Sequence, residues 1–388
     1  MDRRFFLRGL GTVACSAAAH PWLTTVTLAQ GAAAFGDNRL VVVILRGAMD
    51  GLDVVQPRGD AGFAAARPDL ALPPAQDLDG FFQLHAGLAG LMPLWQAGEL
   101  GFVHATSTPY RDKRSHFDGQ DMLEAGTGMD VPLASVRDGW LNRLLQAVPG
   151  VTAETAYAVG RDEMRILAGA APTRSWAPDQ RLMLSAQGRL LLDHVAHDDE
   201  VFRVAVDEAL DLTEKQPPTT ETGKEIDGLV DFTAEKLRGA SRIASFSLTG
   251  WDTHKAQEKA LRRPLERLSR VVARMKDQLG PEIWGKTALL AMTEFGRTLR
   301  QNGSTGTDHG TGGVMLAAGG AVRGGRVLGR WPGLAEADLY AGRDLLPTSD
   351  VRDWAAQAMA GLYGLDRAVL EGAVFPGLRM EAAPGLVL

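Results

Sequence analysis

From Leu40 to Leu45 the chain runs Leu-Val-Val-Val-Ile-Leu without a polar side chain, framed by Arg39 and by Arg46-Gly47. A strand apolar at consecutive positions buries both faces, which suits the centre of a parallel sheet. Similar runs at Leu100–His104, Ile243–Leu248, Thr287–Met292 and Val314–Ala318 predict further strands. The stretches between them carry helical patterning at Leu88–Gln96, Leu141–Val148, Leu191–Leu212, Val230–Arg238 and Lys255–Leu279. Pro264 falls inside the last and predicts a kink or a division there. Ser349-Asp350 opens a final helix through Leu362, with Ser349 as its cap before Trp354, Ala355 and Met359. Strand and helix alternate from end to end. This predicts an α/β fold: a doubly wound, mostly parallel sheet with helices on both faces. Gln216–Lys224, rich in Pro and Thr, reads as an exposed loop. No repeat or shift in composition divides residues 30–388, which are expected to form a single domain.

The N-terminus follows a different pattern. Asp2-Arg3-Arg4-Phe5-Phe6-Leu7-Arg8 precedes a mildly apolar stretch from Gly9 to Leu28, and Ala29 stands before Gln30. A charged start, an apolar middle and a small residue at the boundary predict a cleavable export signal over residues 1–29. The paired Arg3-Arg4 followed by Phe6-Leu7-Arg8 resembles the twin-arginine type. A membrane anchor is the alternative, against which Pro21, Thr24, Thr25 and Thr27 argue. No later segment is apolar for long enough to span a bilayer. The mature protein is therefore expected to be soluble and periplasmic. Its expected partner is the twin-arginine export machinery, which carries proteins already folded, often with a metal installed beforehand.

Composition narrows the chemistry. The chain of 388 residues is 45% hydrophobic and 23% charged, as in ordinary globular proteins, and its 45 glycines exceed the usual share of ~7%. The single Cys15 lies in the expected leader, which excludes internal disulfides and cysteine zinc sites in the mature chain. Metal ligands must then come from Asp, Glu, His or hydroxyl groups. Net charge is −6, and removing residues 1–29 takes away three Arg and one Asp, leaving −8. Such a balance excludes nucleic acid held by general basic charge.

Ligands of open α/β sheets bind beyond the carboxyl ends of the strands, so the residues that follow each apolar run are the candidates. After the first come Gly47-Ala48-Met49-Asp50-Gly51-Leu52-Asp53, and after the second His104 and then Arg111-Asp112-Lys113-Arg114-Ser115-His116-Phe117-Asp118. Gly250-Trp251-Asp252-Thr253-His254 follow the third, and Thr293-Glu294-Phe295-Gly296-Arg297-Thr298 the fourth. Gly306-Thr307-Asp308-His309-Gly310 precede the last strand. Four of the eight histidines thus fall on one expected edge, with a carboxylate after most strands. Carboxylate oxygen and imidazole nitrogen suit zinc, manganese or a similar ion. Asp252 and His254 can converge on one ion, and glycines around Asp308-His309 free that loop to turn. Singly, each pair also reads as a loop cap or turn former.

Ser115 reads as the cap of a helix, with Asp118 three residues on. A hydroxyl at a helix N-terminus beside Arg111, Lys113 and Arg114 also suits a nucleophile for an anionic ester. His116 reads as ligand, base or first-turn histidine. Arg297 and Arg46 can clamp phosphate or sulfate oxygens, with a surface salt bridge favoured for Arg46. Trp251 is expected to pack over its loop, and Gly319–Gly325 to turn between strands. His194 and His197, among Asp193, Asp198 and Asp199, read as a solvated helix face.

These motifs, in this order, closely resemble the DUF1501 family of exported bacterial proteins, itself similar to the alkaline phosphatase and sulfatase superfamily. The resemblance covers nearly the whole mature chain. It implies an alkaline phosphatase-like sheet with metals at the strand ends. By that pattern Asp50 would be a metal ligand, Ser115 the nucleophile, and Asp252 with His254 one acidic-plus-His pair. The second such pair should stand at Glu294-Phe295, where phenylalanine cannot ligate. His309 would be the final histidine, with Asp308 compensating. One metal, a rearranged pair of metals and a lapsed enzyme all remain open on this pattern.

The sequence thus points to an exported metal-dependent hydrolase acting on a small or polymeric anionic ester, phosphate or sulfate. Asp50, Asp252, His254, Glu294, Asp308 and His309 would hold a divalent ion (zinc, manganese or calcium), Ser115 and His116 would act on the ester, and Arg297 would steady the anion. The rival is a non-catalytic periplasmic binding protein that keeps the fold with a degenerate site. A metal-free esterase using Ser115 and His116 ranks last, because neighbours in sequence seldom form a working pair.

Overall fold

The computed structural model describes residues 35–71, 75–131, 136, 138–162, 164–177, 222–381 and 385–388. The expected leader with Cys15 and the expected helix Leu191–Leu212 with His194 and His197 lie outside them. So does most of the expected Gln216–Lys224 loop, whose last residues begin a helix at Thr222.

Nine strands form the main sheet among the described residues. They are β1 (Arg39–Arg46), β2 (Leu100–Ser107), β3 (Ala156–Val159), β4 (Arg174–Trp176), β5 (Ile243–Thr249), β6 (Thr287–Met292), β7 (Gly313–Ala318), β8 (Val327–Leu328) and β9 (Ser349–Asp350). Their order is β8-β2-β7-β6-β1-β5-β3-β4, with β9 pairing beside β2. β1 lies between β5 and β6 and is parallel to both. Every pairing is parallel except those of β7, which runs antiparallel to β2 and β6. The start of β7 therefore lies at the edge where the other strands end. A small antiparallel sheet of Val55–Gln56, Gln83–His85 and Ala75–Asp77 stands apart.

Alternate residues of β1 divide between two cores. Leu40, Val42 and Ile44 pack with Trp140, Leu141 and Leu144 of α2 (Trp140–Ala147) and with Trp354, Ala355 and Met359 of α5 (Val351–Tyr363). Val41, Val43 and Leu45 pack with Val230 and Leu237 of α3 (Thr222–Arg238) and with Leu265, Leu268, Val272 and Met275 of α4 (Arg262–Trp284). Helices on both faces explain why the strand carries no polar position. The first helix, α1 (His116–Ala125), starts at the carboxyl edge of the sheet.

Local departures from the expected elements have local causes. The long helix divides at Leu261 into Gln257–Ala260 and α4, which puts Pro264 in a first turn where a missing N–H is harmless. Asp350, not Ser349, caps α5, accepting from Arg352 N at 2.9 Å. Ser349 is instead held extended beside Thr106, and its Oγ accepts from Trp354 Nε1. Leu88–Gln96 is a 3-10 turn, Ala86–Leu91, followed by a short helix with Pro93 near its start.

Buried polar groups tie together the loops at the carboxyl edge. The fully buried Arg67 donates from Nη1 to Asp50 Oδ2 at 2.8 Å, and from Nη2 and Nε to the carbonyls of Thr298 and Leu299. Gln257 Nε2 bridges Asp50 and Asp53 at 2.7 and 2.8 Å. Burial alone would raise the Asp50 carboxyl, but the charge and hydrogen bond of Arg67, with Gln257 and Arg297, hold it below its ordinary value. Asp53 is pushed up, first by burial and then by the charge of Asp50. Asp50 thus contributes stability that is lost as pH falls. Asp53, its folded pKa raised, contributes stability that is lost as pH rises. Asp50→Asn leaves Arg67 buried and unpaired and should lower unfolding free energy by about 3–5 kcal/mol. Asp53→Asn, which cannot ionise, should gain on the wild type as pH rises above the ordinary carboxyl range. Urea unfolding of the three proteins between mildly acidic and mildly alkaline pH checks both, and equal damage from the two variants would refute the asymmetry.

Candidate metal centre

Three histidines and one carboxylate meet where β1, β5 and β6 end and β7 begins. His116 is the first residue of α1, which Ser115 caps by accepting from Asp118 N. Asp252 and His254 follow β5, and His309 lies in the loop before β7. The antiparallel course of β7 brings that loop to the same edge.

The imidazoles converge on one atom. Asp252 Oδ1 lies 2.9 Å from His254 Nε2, 3.3 Å from His309 Nε2 and 3.4 Å from His116 Nε2. His254 Nε2 and His309 Nε2 are 3.0 Å apart. Each ring is held from behind: His116 Nδ1 by Glu294 Oε1 at 2.8 Å, His254 Nδ1 by Asp308 Oδ1 at 3.3 Å, and His309 Nδ1 by the Arg114 carbonyl at 3.0 Å. Ionised carboxylates and carbonyls only accept, so each Nδ1 carries a proton and each ring turns its Nε2 inward. Lone pairs facing a carboxylate oxygen repel unless a cation or a proton stands among them. His116 Nε2 is buried and makes no hydrogen bond. His116, Asp252 and His309 each offer a ligand atom within 4.8 Å of the others. Imidazole nitrogens with an outer acceptor on Nδ1, together with a carboxylate oxygen, are the donor set a borderline divalent ion takes.

Burial would raise the Asp252 carboxyl, but the hydrogen bond and charge of Arg297, with His254 and His116, bring it down to about 2. The hydrogen bond to Glu294 raises His116 against its burial, whereas burial lowers His309. Burial would also raise Glu294, and hydrogen bonds from His116, the backbone, Gln120 and Thr293 outweigh it. Asp252 is half exposed and His254 more open than the other two rings, so the centre faces solvent on one side.

Several expected site residues take other posts. Asp50 is fully buried, its Oδ2 bonded to Arg67 and Gln257 while its Oδ1 caps the turn after β1. Glu294 holds His116 and also accepts from Gly47 N and Gln120 Nε2, while Asp308 holds His254. Arg297, expected as an anion clamp, is wholly buried: Nε donates to Ala48 O, Nη2 to Gly47 O and Asp252 Oδ1, and Nη1 to Thr307 O. Its donors face protein, which leaves none for a substrate. Ser115 acts as a cap, and its side chain touches neither Asp252 nor the three rings among the described contacts. His104, the fourth edge histidine, is buried and pushed down to about 4, bonded to Val55 O and stacked on Phe82. Phe295 packs under His116 at 5.3 Å between ring centroids and stacks on Tyr110. Trp251 is buried over its loop, and Arg46 pairs with Glu124 at 2.8 Å. Gln120 and the Arg114 carbonyl were missed by the sequence reading. Gln120 carried a signal, lying four residues after His116 on one helix face.

The loops are held under strain. Ala48, Ala105, Asp112, Arg114, Ala256, Thr305 and Ala341 have positive φ without being glycine; Ala48 follows β1, Arg114 precedes His116 by two residues and Ala256 follows His254 by two. Gly47, at φ 119°, sits where a Cβ would come within 2.7 Å of Asp252 N.

The chain belongs to the family described as "Protein of unknown function (DUF1501)", whose model matches residues 106–374. No curated protein matches it. It is similar to a solved protein of the alkaline phosphatase superfamily from Vibrio parahaemolyticus at 11% identity and TM-score 0.42, over 88% of this chain and 70% of that one. The C-terminal periplasmic domain of EptC from Escherichia coli, solved with zinc, is similar at 10% identity and TM-score 0.39, over 73% of each chain. The lipoteichoic acid synthase LtaP from Listeria monocytogenes is similar at 8% identity and TM-score 0.40, over 87% and 76%.

Gly47→Ala should lower stability by about 1–3 kcal/mol through strain and displacement of Asp252. Denaturant unfolding gives the loss. A variant as stable as the wild type would show that the close approach at Gly47 is not needed.

Proposed function

We propose that this protein is an exported metal-dependent hydrolase of phosphate or sulfate esters. The observation that carries the reading is the meeting of three Nδ1-anchored imidazoles on the Asp252 carboxylate. His116, Asp252 and His309 would hold the ion, three protein ligands with a side open to solvent, as in catalytic rather than structural sites. A nitrogen-rich set suits zinc or manganese and suits calcium, which takes oxygen ligands, poorly. The ion, when bound, would polarise the ester oxygen and ease deprotonation of the attacking water.

The remaining work falls to side chains. His254, the most open of the three rings, accepts a proton at Nε2 from the water and returns it to the leaving oxygen. Asp308 on Nδ1 fixes its tautomer and steadies its charged form. Glu294 holds the His116 ring through Nδ1, and Phe295 supports it from below. Arg297 keeps Asp252 ionised and aimed. Ser115 Oγ is engaged as the cap of α1, and we assign the attack on the ester to water. The Arg3-Arg4 leader supports export by the twin-arginine route into the periplasm, with the ion loaded before transport. No helix among the described residues is long and apolar enough to cross a membrane.

Elemental analysis of protein exported by its own signal, purified without chelator, should find close to one ion per chain. Asp252→Ala and His309→Ala should lose the ion and ester turnover together. Glu294→Gln, which keeps an acceptor but not the charge, should weaken metal affinity roughly 10- to 100-fold. Ser115→Ala should lower stability by about 1 kcal/mol and retain the ion. An Asp252→Ala protein with full metal and full activity would overturn the assignment, and an ion-loaded chain without turnover of any ester would favour a binding protein.

A further inference from the structure

Beyond the ends of β3 and β5, on the face covered by α3 and α4, the sheet edge opens into a cavity of about 230 Å3 that shares no lining residue with the metal centre. A single water needs only ~10–15 Å3 of such space, so the cavity has room for an organic ring. Val159 and Leu248 at the strand ends and Ile226 and Leu229 of α3 make its apolar side. Gly160, at φ 114°, adds no side chain there, and a Cβ in its place would stand 3.8 Å from Leu229 Cδ1. Ser247 and Thr249 of β5 add two hydroxyls. The charged part of the wall is balanced. Arg161 lies 3.6 Å from Glu225, while Asp162 accepts from Ser247 Oγ and lies 3.8 Å from Arg46 Nε. Arg267 of α4 feels the charge of Glu225, yet its buried Nε makes no hydrogen bond.

Such a wall suits neither kind of ion. An anion meets Asp162 and Glu225, and a cation meets Arg161 and Arg267. A hydroxyl meets both kinds of group, because a guanidinium only donates, a carboxylate only accepts and a hydroxyl does either. Several hydroxyls on a ring with apolar C–H edges match the charged and the apolar side together, the usual make-up of a small-molecule site. We propose that this cavity binds a neutral sugar unit, its ring laid against Ile226 and Leu229, with one hydroxyl accepting from Arg267 Nε and donating to Glu225. The inference goes beyond the hydrolase reading and does not depend on it.

The probes are the methyl glycosides of glucose, galactose and N-acetylglucosamine, with cyclohexanecarboxylate and cyclohexylammonium as charged rings of similar size. Each is titrated against the full chain and followed by ligand-observed NMR. At least one glycoside should bind saturably and more tightly than either charged ring. Arg267→Met, which keeps the apolar stem and removes the donors, should weaken that glycoside roughly tenfold, the range of a hydrogen bond to a charged group. Thr249→Phe adds bulk to the cavity wall from an exposed strand end and should abolish binding without disturbing the core. Far-UV circular dichroism shows whether each variant is folded, and Thr249→Phe decides alone where Arg267→Met is not. Failure of all three glycosides to bind, equal or tighter binding of a charged ring, or glycoside binding that survives substitution in a folded variant overturns the proposal.

Discussion

A single buried guanidinium holds the candidate centre together. Arg297 reaches from the residues after β6 and binds carbonyls of Gly47 and Ala48 after β1, of Thr307 before β7, and the carboxylate of Asp252 after β5. A buried charge is costly unless every donor is matched, and here each nitrogen finds an oxygen. The match exists only when all of these loops are in place. Lysine could not substitute, since its three donors radiate from one point and cannot span that set. The same contact sets the electrostatics, since it keeps Asp252 ionised beneath three imidazoles that would otherwise crowd a neutral acid.

The strands were legible because burial on both faces leaves a plain mark, an apolar run with no alternation. β1, β6 and β7 carry it, as does the start of β2, while β5 interleaves Ser245 and Ser247 with Ala244, Phe246 and Leu248. β3, β4, β8 and β9 do not, being two to four residues long, too short for any period to show. The reversed direction of β7 has no local signature. Yet it decides the site, for a parallel β7 would send His309 to the opposite edge of the sheet. Which residues gather at the edge could be read from the sequence; what each side chain does there could not. Asp50 and Asp252 look alike as acids after strands. One faces Arg67 inside the fold and the other faces solvent and three rings, and only the packing distinguishes them. His104 and His116 divide in the same way, one stacked in the core and the other set at a helix start with its Nε2 facing Asp252.

Long-range contacts dominate the centre. Glu294 is 178 residues from His116, and Asp252 is 57 from His309. Such a site cannot form from local structure, so the sheet must be assembled before the rings converge. Strain at Ala48, Asp112, Arg114, Ala256 and Thr305 is then sustained by the packed strands beneath those loops.

The sequence Thr293-Glu294-Phe295 takes on a different meaning once its packing is seen. Taken alone, phenylalanine where an acidic-plus-His pair was expected looks like loss of function. In the fold, the histidine comes from elsewhere: His116, at the start of α1, stacks on the Phe295 ring while Glu294 grips its Nδ1. The two residues that seemed to break the pattern thus orient one imidazole, and Gln120 on the next turn of α1 fixes the same carboxylate. A degenerate site would have little reason to keep a fully buried glutamate aligned on a ring whose other nitrogen, also buried, has no hydrogen-bond partner. Holding that nitrogen dry and unpaired is unfavourable unless something with a positive charge belongs beside it. Glu294 and Phe295 thus serve the ring of His116 and do not stand in for a second acidic-plus-His pair.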